Sequence, residues 1–82
     1  MTKPEIERAV LRVLGAIAPE ADLTRLKRDV PLRDQLDIDS MDLLNFFIAL
    51  DKELHVDIPE TDYPKVATLN GCVDHVASLL RT

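Results

Sequence analysis

The hydroxyl of Ser40 lies in the run Leu36–Asp42, which reads Leu-Asp-Ile-Asp-Ser-Met-Asp and directly precedes a strongly apolar stretch. The periodicity of that stretch places Ser40 in the first turn of a helix. A helix start offers N–H groups without intrahelical acceptors and the positive end of the helix dipole, and both favour an anion such as a phosphate. The position of Ser40 therefore suits a phosphate-linked group, and the alternative interpretation of this residue taken alone is an ordinary first-turn serine.

Two aspartates flank the serine and are expected to fix the start of this helix. Asp39 is predicted to be its N-cap, and Asp42, at the third helical position, adds a second negative charge near the positive end of the dipole. The helix is predicted to run from Ser40 to about Leu54. Its apolar residues recur at spacings of three and four and predict one buried face: Leu43, Phe46, Phe47, Leu50 and Leu54.

A second apolar stripe follows the same helix and exceeds what one core contact requires. It consists of Met41, Leu44 and Ile48, and it lies beside the polar residues Asp42, Asn45 and Asp51. Apolar stripes at helical spacing usually belong to a core, and that is the alternative interpretation of this one. A small bundle cannot readily bury every side of one helix, which favours an exposed stripe.

The rest of the chain predicts helices around this central one. A first helix is predicted over Lys3 to Ala18, with a Thr2–Glu5 capping box at its start and Pro19 at its end. The apolar residues of the long connection 19–38 are expected to pack against the core and hold the connection in place. One short helical turn is expected near Leu23 to Lys27. After the extended connector Val56–Pro59, a short helix is expected over Glu60 to Val66 and a last helix after Thr68. The predicted fold is all-α: a small four-helix bundle of three main helices and one short helix, with a long loop between the first two.

Size, charge and composition limit the classes of function. The 82 residues predict one domain over 1–82 and a monomer, with a small core. The net charge is −5, and residues 34–62 hold nine acids and a single lysine, so the acid is concentrated around Ser40. Such a surface repels nucleic acid and anionic lipid and attracts proteins with basic patches. No apolar run approaches the roughly 20 residues that span a bilayer. The lone Cys72 and the absence of a signal-peptide pattern predict a cytoplasmic protein.

Metal binding and intrinsic catalysis are not favoured. If Asp37 were the first position of a calcium loop, Asp42 would stand where glycine is required and Ile48 where the bidentate glutamate belongs. His55 and His75 lack zinc-ligand spacing with Cys72, which is predicted to be a buried structural thiol on the inner face of the last helix. The sequence indicates neither a Ser-His-Asp triad nor a catalytic pair of carboxylates, so we do not expect an enzyme.

Four segments together resemble an acyl carrier protein, a member of the carriers that bear phosphopantetheine. They are Leu36–Asp42 around the serine, Ala49–Asp51, Val56–Pro59 and Ala67–Leu69, and they cover nearly the whole chain in order and spacing. The resemblance implies that Ser40 accepts 4'-phosphopantetheine from coenzyme A in a reaction performed by a phosphopantetheinyl transferase. The terminal thiol of the arm then carries acyl groups as thioesters between partner enzymes.

The resemblance also implies a docking surface on the helix that follows the serine. Its apolar contacts fall on Met41, Leu44 and Ile48, its acidic contacts on Asp42 and Asp51, and its expected partners are acyl-loading and acyl-transferring enzymes with basic docking patches. This chain has Asp37 where the family usually has glycine, and Asn45 where an acid is common. These departures favour a dedicated carrier in a specialised lipid, polyketide or related pathway.

Two other functions stay open at the level of sequence. A peptidyl or aminoacyl carrier shares the fold and the modification, but it more often has histidine than aspartate before the serine, so Asp39 argues against it. The other is a helical interaction module that bears no arm. Modification of Ser40 distinguishes that module from either carrier.

Overall fold

The computed structural model describes residues 1–80, which form an all-helical fold. Four α-helices are present: α1 over Lys3–Ile17, α2 over Leu32–Gln35, α3 over Ser40–Leu54 and α4 over Leu69–Leu80. Two 3₁₀ helices lie between them, over Leu23–Arg25 and Glu60–Val66. Within residues 1–80 there is no β-strand, so the predicted all-α class is confirmed.

The start of α1 follows the predicted capping box. The backbone N–H of Glu5 donates to Thr2 Oγ1 at 3.3 Å, and the backbone N–H of Thr2 donates to Glu5 Oε1 at 2.9 Å. The helix ends at Ile17, one residue before the predicted Ala18, which is instead the C-cap. Pro19 follows and cannot continue the hydrogen-bond ladder.

The core lies between α1, α3 and α4 and is filled by the predicted helix faces. Phe46 and Phe47 of α3 are the largest fully buried side chains within residues 1–80, and Leu50 of the same helix is buried beside them. Leu43 was predicted to belong to the buried face of α3, but it is half-buried and, with Ile17 and Leu80, packs against the edge of the core. The buried apolar residues are Ile6, Ala9, Val10, Val13, Leu14, Leu32, Ile38, Phe46, Phe47, Leu50, Leu54, Ile58, Val66, Leu69, Cys72, Val73 and Val76.

The long connection between α1 and α3 is more ordered than the sequence predicted. Its first turn, at Leu23–Arg25, is the expected one, but α2 was not predicted. The helix α2 has only four residues and no side-chain cap, so its sequence gives little local signal. Tertiary contacts form it instead: Leu32 is fully buried and its backbone N–H donates to the carbonyl of Ala67 at 2.8 Å.

One glutamine side chain closes the loop in front of α2. The Nε2 amide of Gln35 donates to the carbonyls of Lys27 at 2.8 Å and Val30 at 2.9 Å, and its Oε1 accepts from the N–H of Lys27 at 2.8 Å. These bonds satisfy backbone groups that a helix or sheet would otherwise pair. The loop therefore brings Leu36 and Ile38 to fixed positions just ahead of Ser40.

The segment after α3 turns the chain back toward the core. His55 caps the end of α3 with φ 54° and ψ 46°, a left-handed conformation more often adopted by glycine or asparagine. In the predicted connector, Ile58 is buried and Val56 is half-buried. The predicted short helix is a 3₁₀ helix over Glu60–Val66, with Pro64 inside it.

The start of α4 requires a glycine for steric reasons. Thr68 caps the helix as predicted, and its Oγ1 accepts from the N–H of Gly71 at 2.9 Å. A Cβ on Gly71 would lie 2.4 Å from the carbonyl oxygen of Lys65. The absence of a side chain at Gly71 therefore lets α4 pack against the end of the Glu60–Val66 segment.

Candidate attachment site and docking face

Ser40 is the first residue of α3, and it is exposed to solvent. A reciprocal capping box holds the turn around it. Asp39 Oδ1 accepts from the backbone N–H of Asp42 at 2.8 Å, and Asp42 Oδ2 accepts from the N–H of Asp39 at 3.2 Å. The predicted cap is therefore confirmed, and Asp42 is found to complete it. Buried Ile38 on one side and α3 on the other anchor this turn while the hydroxyl remains accessible.

An apolar groove opens directly beside Ser40, between α3 and the Glu60–Val66 segment. Its volume is about 410 Å³. The rings of Phe47 and Tyr63 stack along it with centroids 4.4 Å apart and planes tilted by 34°. Partial burial raises the pKa of Tyr63, and the nearby acids Glu60, Asp51 and Asp57 raise it further, so its hydroxyl stays protonated at neutral pH. The groove is lined by Ser40, Leu43, Leu44, Phe47, Tyr63, Pro64 and Ala67.

This groove was not predicted from the sequence. The spacing of apolar residues predicts that Leu43 and Phe47 face the core, and it places Tyr63 and Pro64 in a short helix without indicating what they contact. The one available signal was the presence of two bulky apolar side chains in a segment too short to bury both of its faces. Because the groove needs α3 and a segment some twenty residues later to face each other, periodicity within one helix cannot reveal it.

The outward face of α3 differs in part from the predicted stripe. Met41 is 62% exposed and Ile48 is 45% exposed, so two of the three predicted apolar residues do face solvent. Leu44 is half-buried and lines the groove. The residues that share the outward line with Met41 and Ile48 are the exposed Asn45 and Lys52, which fall within about 60° of them on an ideal helix.

The acids of α3 lie on its flanks and bind groups of the protein itself. Asp42 completes the capping box, and Asp51 Oδ1 accepts from the backbone N–H of Ile58 at 3.3 Å. Partial burial raises the pKa of Asp51, the hydrogen bond from Ile58 opposes that rise, and the charge of Asp57 adds to it. Glu53 forms an ion pair with Arg12 of α1. Each of these carboxylates therefore has a structural role in the fold.

The remaining candidate groups occupy structural positions. Cys72 is fully buried, and this burial raises the pKa of its thiol to about 12. His75 Nε2 lies 3.0 Å from Asp62 Oδ2, while His55 caps α3. Among residues 1–80 no cluster of three potential metal ligands is found. In the same part of the chain, every helix is too short or too polar to cross a bilayer.

Comparison with known families decides what this arrangement represents. The family model described as the phosphopantetheine attachment site matches residues 5–76, nearly the full length of the bundle. The chain belongs to the phosphopantetheine attachment site family. Proteins of this family are carriers, not enzymes, and they bear covalent 4'-phosphopantetheine. Both expectations from the sequence are confirmed at the level of the family.

Comparison with solved structures supports the same fold for this phosphopantetheine carrier. An acyl carrier protein from Enterococcus faecalis, described for its high thermal stability, superposes with a TM-score of 0.79. The alignment covers 96% of this chain and 99% of that protein, at 23% sequence identity. The chain therefore has the bundle fold of an acyl carrier protein.

Proposed function

We propose that this chain is an acyl carrier protein whose arm is attached to Ser40. The observation that carries the proposal is the geometry of that residue: an exposed hydroxyl at the first position of α3, fixed by the Asp39–Asp42 capping box. The capping box uses the N–H of Asp42, so the N–H groups of Ser40 and Met41 still have no intrahelical acceptor. Those two groups suit the phosphate of a phosphopantetheine arm.

The attachment reaction is a transfer from coenzyme A. The Oγ of Ser40 forms a bond to the phosphorus that carries pantetheine, and the pyrophosphate bond of coenzyme A breaks. Adenosine 3',5'-bisphosphate leaves, and the serine proton passes to a base of the phosphopantetheinyl transferase. This chain supplies only an accessible hydroxyl and no catalytic group, as expected for a carrier.

The surroundings of Ser40 also favour an arm that leaves the helix. The attached phosphate carries a negative charge beside the carboxylates of Asp39 and Asp42, so like charges repel one another there. This repulsion directs the arm away from the two carboxylates at the first turn of α3, so its thiol can reach a partner active site. Tethering then raises the effective concentration of the cargo at that site, so weak docking suffices.

The groove beside Ser40 supports an apolar cargo. Its lining is almost wholly apolar, and one wall is the Phe47–Tyr63 ring pair. Burial of apolar surface is favourable by roughly 25 cal/mol per Å², so an acyl chain that folds back into the groove is sheltered from water. An aminoacyl cargo, with its charged amine, gains nothing from such a lining.

We place the docking surface on α3, with Met41 and Ile48 as its exposed apolar contacts and Asn45 between them. Asp42, Leu44 and Asp51 lie along its flanks. The expected partners are the phosphopantetheinyl transferase and enzymes that load and transfer acyl groups in a specialised lipid or polyketide pathway. We further propose that residues 1–82 act as one monomeric carrier domain in the cytoplasm, where coenzyme A is available to the transferase.

The test is the mass of the intact protein after incubation with coenzyme A and a broad-specificity phosphopantetheinyl transferase. The wild-type chain is expected to gain the mass of one phosphopantetheine group, and Ser40→Ala is expected to gain nothing. Ser78, the other serine of the chain and also exposed, offers a matched control, since Ser78→Ala should gain the same mass as wild type. Equal gain by Ser40→Ala and wild type, or no gain by wild type, contradicts the proposal.

A further inference from the structure

The outward face of α3 carries a single charged side chain, and that charge is positive. Lys52 is exposed and lies in line with Met41, Asn45 and Ile48. Within residues 1–80 none of the six ion pairs involves Lys52. Its ammonium group is therefore available to a protein that approaches this face.

The two acids next to Lys52 in sequence are directed away from the outward face of α3. Asp51, its neighbour in sequence, is turned toward the N–H of Ile58, and Glu53, on the other side, is turned toward Arg12 of α1. On an ideal helix these acids stand about 100° to either side of Lys52, at about 100° per residue. A partner that contacts the outward line meets the lysine first.

The residues that directly precede α3 carry charge of the opposite sign. Asp37 and Asp39 are exposed just ahead of Ser40. Lys52 follows Ser40 by twelve positions along the helix, which corresponds to about 18 Å at 1.5 Å per residue. The surface is therefore negative just ahead of the attachment site, apolar at Met41 and Ile48, and positive at Lys52.

We propose that Lys52 is a specificity-determining residue for docking, which reserves this carrier for enzymes that present an acidic group at the far end of their docking site. The proposal rests on the proposed function, because it assumes that partners dock on α3. It adds the chemistry of those partners: a basic or neutral rim around the active-site entrance, an apolar recess for Met41 and Ile48, and a carboxylate opposite Lys52.

Charge on a docking face acts by exclusion as well as by attraction. An enzyme whose docking patch is basic throughout would bring a like charge against Lys52 and leave both charges poorly solvated. The apolar contacts of Met41 and Ile48 are open to many partners and cannot make that distinction. Lys52 can, and the order of charges along the face also fixes the direction in which a partner must lie.

The experiment measures a gain of activity, which a merely misfolded variant cannot produce. The arm-bearing protein is offered, with acyl-coenzyme A, to an acyl transferase of fatty acid synthesis that has a basic docking patch. The reaction moves the acyl group from the coenzyme A thiol to the thiol of the arm and releases coenzyme A. Its kcat/KM is measured for wild type, Lys52→Gln and Lys52→Glu.

We expect wild type to be a poor substrate, Lys52→Gln to be better, and Lys52→Glu to raise kcat/KM by at least about fivefold. The gain should shrink as salt is raised, because exposed charges are screened over about 10 Å at 0.1 M. The matched control is Lys27→Glu, which changes the net charge equally at an exposed lysine in the loop before α2. It should change kcat/KM by less than about twofold.

Three results overturn the proposal: no gain with Lys52→Glu, an equal gain with Lys27→Glu, or a loss with Lys52→Gln. Failure of the proposed function is separate and is detected earlier. If the chain accepts no phosphopantetheine, the intact-mass test fails before any transfer is measured. If it is loaded but Lys52→Glu has no effect, only the assignment of Lys52 is lost.

Discussion

The Nε2 of His75 lies 3.0 Å from Oδ2 of Asp62, and this contact joins α4 to the segment that forms one wall of the groove beside Ser40. Both side chains are largely buried. Lys65 also approaches Asp62, at 3.6 Å, but it belongs to the same short segment and cannot tie it to α4. The pair therefore holds the Glu60–Val66 segment, and with it Tyr63, in place.

Removal of this contact should destabilise the fold and loosen the wall. We expect His75→Ala to lower the free energy of unfolding by about 1–2 kcal/mol, because a largely buried carboxylate loses its partner. Urea denaturation measures the loss, and hydrogen exchange of residues 60–66 shows whether it is local. His75→Gln, which keeps a donor, should recover part of the loss. Equal stability of His75→Ala and wild type would show that the contact has no energetic weight.

Asp39 has two candidate roles, and two substitutions separate them. Asp39→Ala removes the cap of α3 and should cost about 0.5–2 kcal/mol of stability, whereas Asp39→Ser retains an acceptor and should cost little. If the transferase needs only an ordered turn, Asp39→Ser should be loaded at nearly the wild-type rate. If it recognises the carboxylate, both variants should be loaded slowly. The measurements are thermal unfolding and the rate of mass gain with coenzyme A.

The two glycines of the chain should respond in opposite directions to alanine. Gly71→Ala would place a Cβ 2.4 Å from the carbonyl oxygen of Lys65, so we expect a loss of about 1–3 kcal/mol. Gly15 lies inside α1, where a Cβ would meet Leu23 Cδ1 at an ordinary 3.5 Å. Gly15→Ala should therefore stabilise by up to about 1 kcal/mol through helix propensity. Urea denaturation of both variants checks the contrast, and the same sign for both would contradict the packing at Gly71.

The carboxylate of Asp51 should make stability depend on pH with a sign that can be tested. Its pKa is raised in the fold, so the folded protein binds this proton more tightly and loses stability as pH rises through the folded pKa. Asp51→Asn removes the charge and can still accept from Ile58. We expect it to be more stable than wild type at pH 7, by less than about 1 kcal/mol, and equal to it below about pH 3.8.

A control separates the charge of Asp51 from its hydrogen bond. Asp51→Ala loses the acceptor for Ile58 and should be less stable than Asp51→Asn at every pH. Thermal unfolding across the pH range measures both variants. An advantage of Asp51→Asn that grows on acidification would reverse the predicted sign.

Thiol reagents should modify the terminal thiol of the phosphopantetheine arm and not the thiol of Cys72. With a pKa of about 12, only about one Cys72 thiol in ten thousand is ionised at pH 8, and its burial excludes reagents as well. The unmodified protein should therefore react with an alkylating reagent only after denaturation. The phosphopantetheine-bearing protein should react once under native conditions, at the arm. Rapid native labelling of Cys72, detected by mass, would contradict its burial.

The local features of this fold could be read from the sequence, and the features that depend on distant contacts could not. Capping by Thr2 and Asp39, and the buried face of α3, follow from side chains within one or two turns of each other. The helix α2 could not be predicted, because a four-residue helix forms only when Leu32 is buried against the rest of the bundle. Ser40 was identified because it sits in a local motif.

The surroundings of Ser40 needed the structure. The groove requires α3 to face Tyr63, and the inward orientation of Asp51 requires Ile58 at hydrogen-bond distance. From the sequence alone, Asp42 and Asp51 were expected to be docking charges. The structure separates them from Lys52 because it shows which carboxylates already have a partner.

Phe47 belongs to the core and to the groove at the same time. A hydrocarbon tail that enters the groove therefore rests on the ring that helps to keep α1, α3 and α4 together. Because such a tail binds the folded state and not the unfolded one, it must raise the melting temperature of the bundle. The melting temperature of the protein should therefore be higher when the arm carries an acyl chain than when it carries none, and higher for a long chain than for a short one.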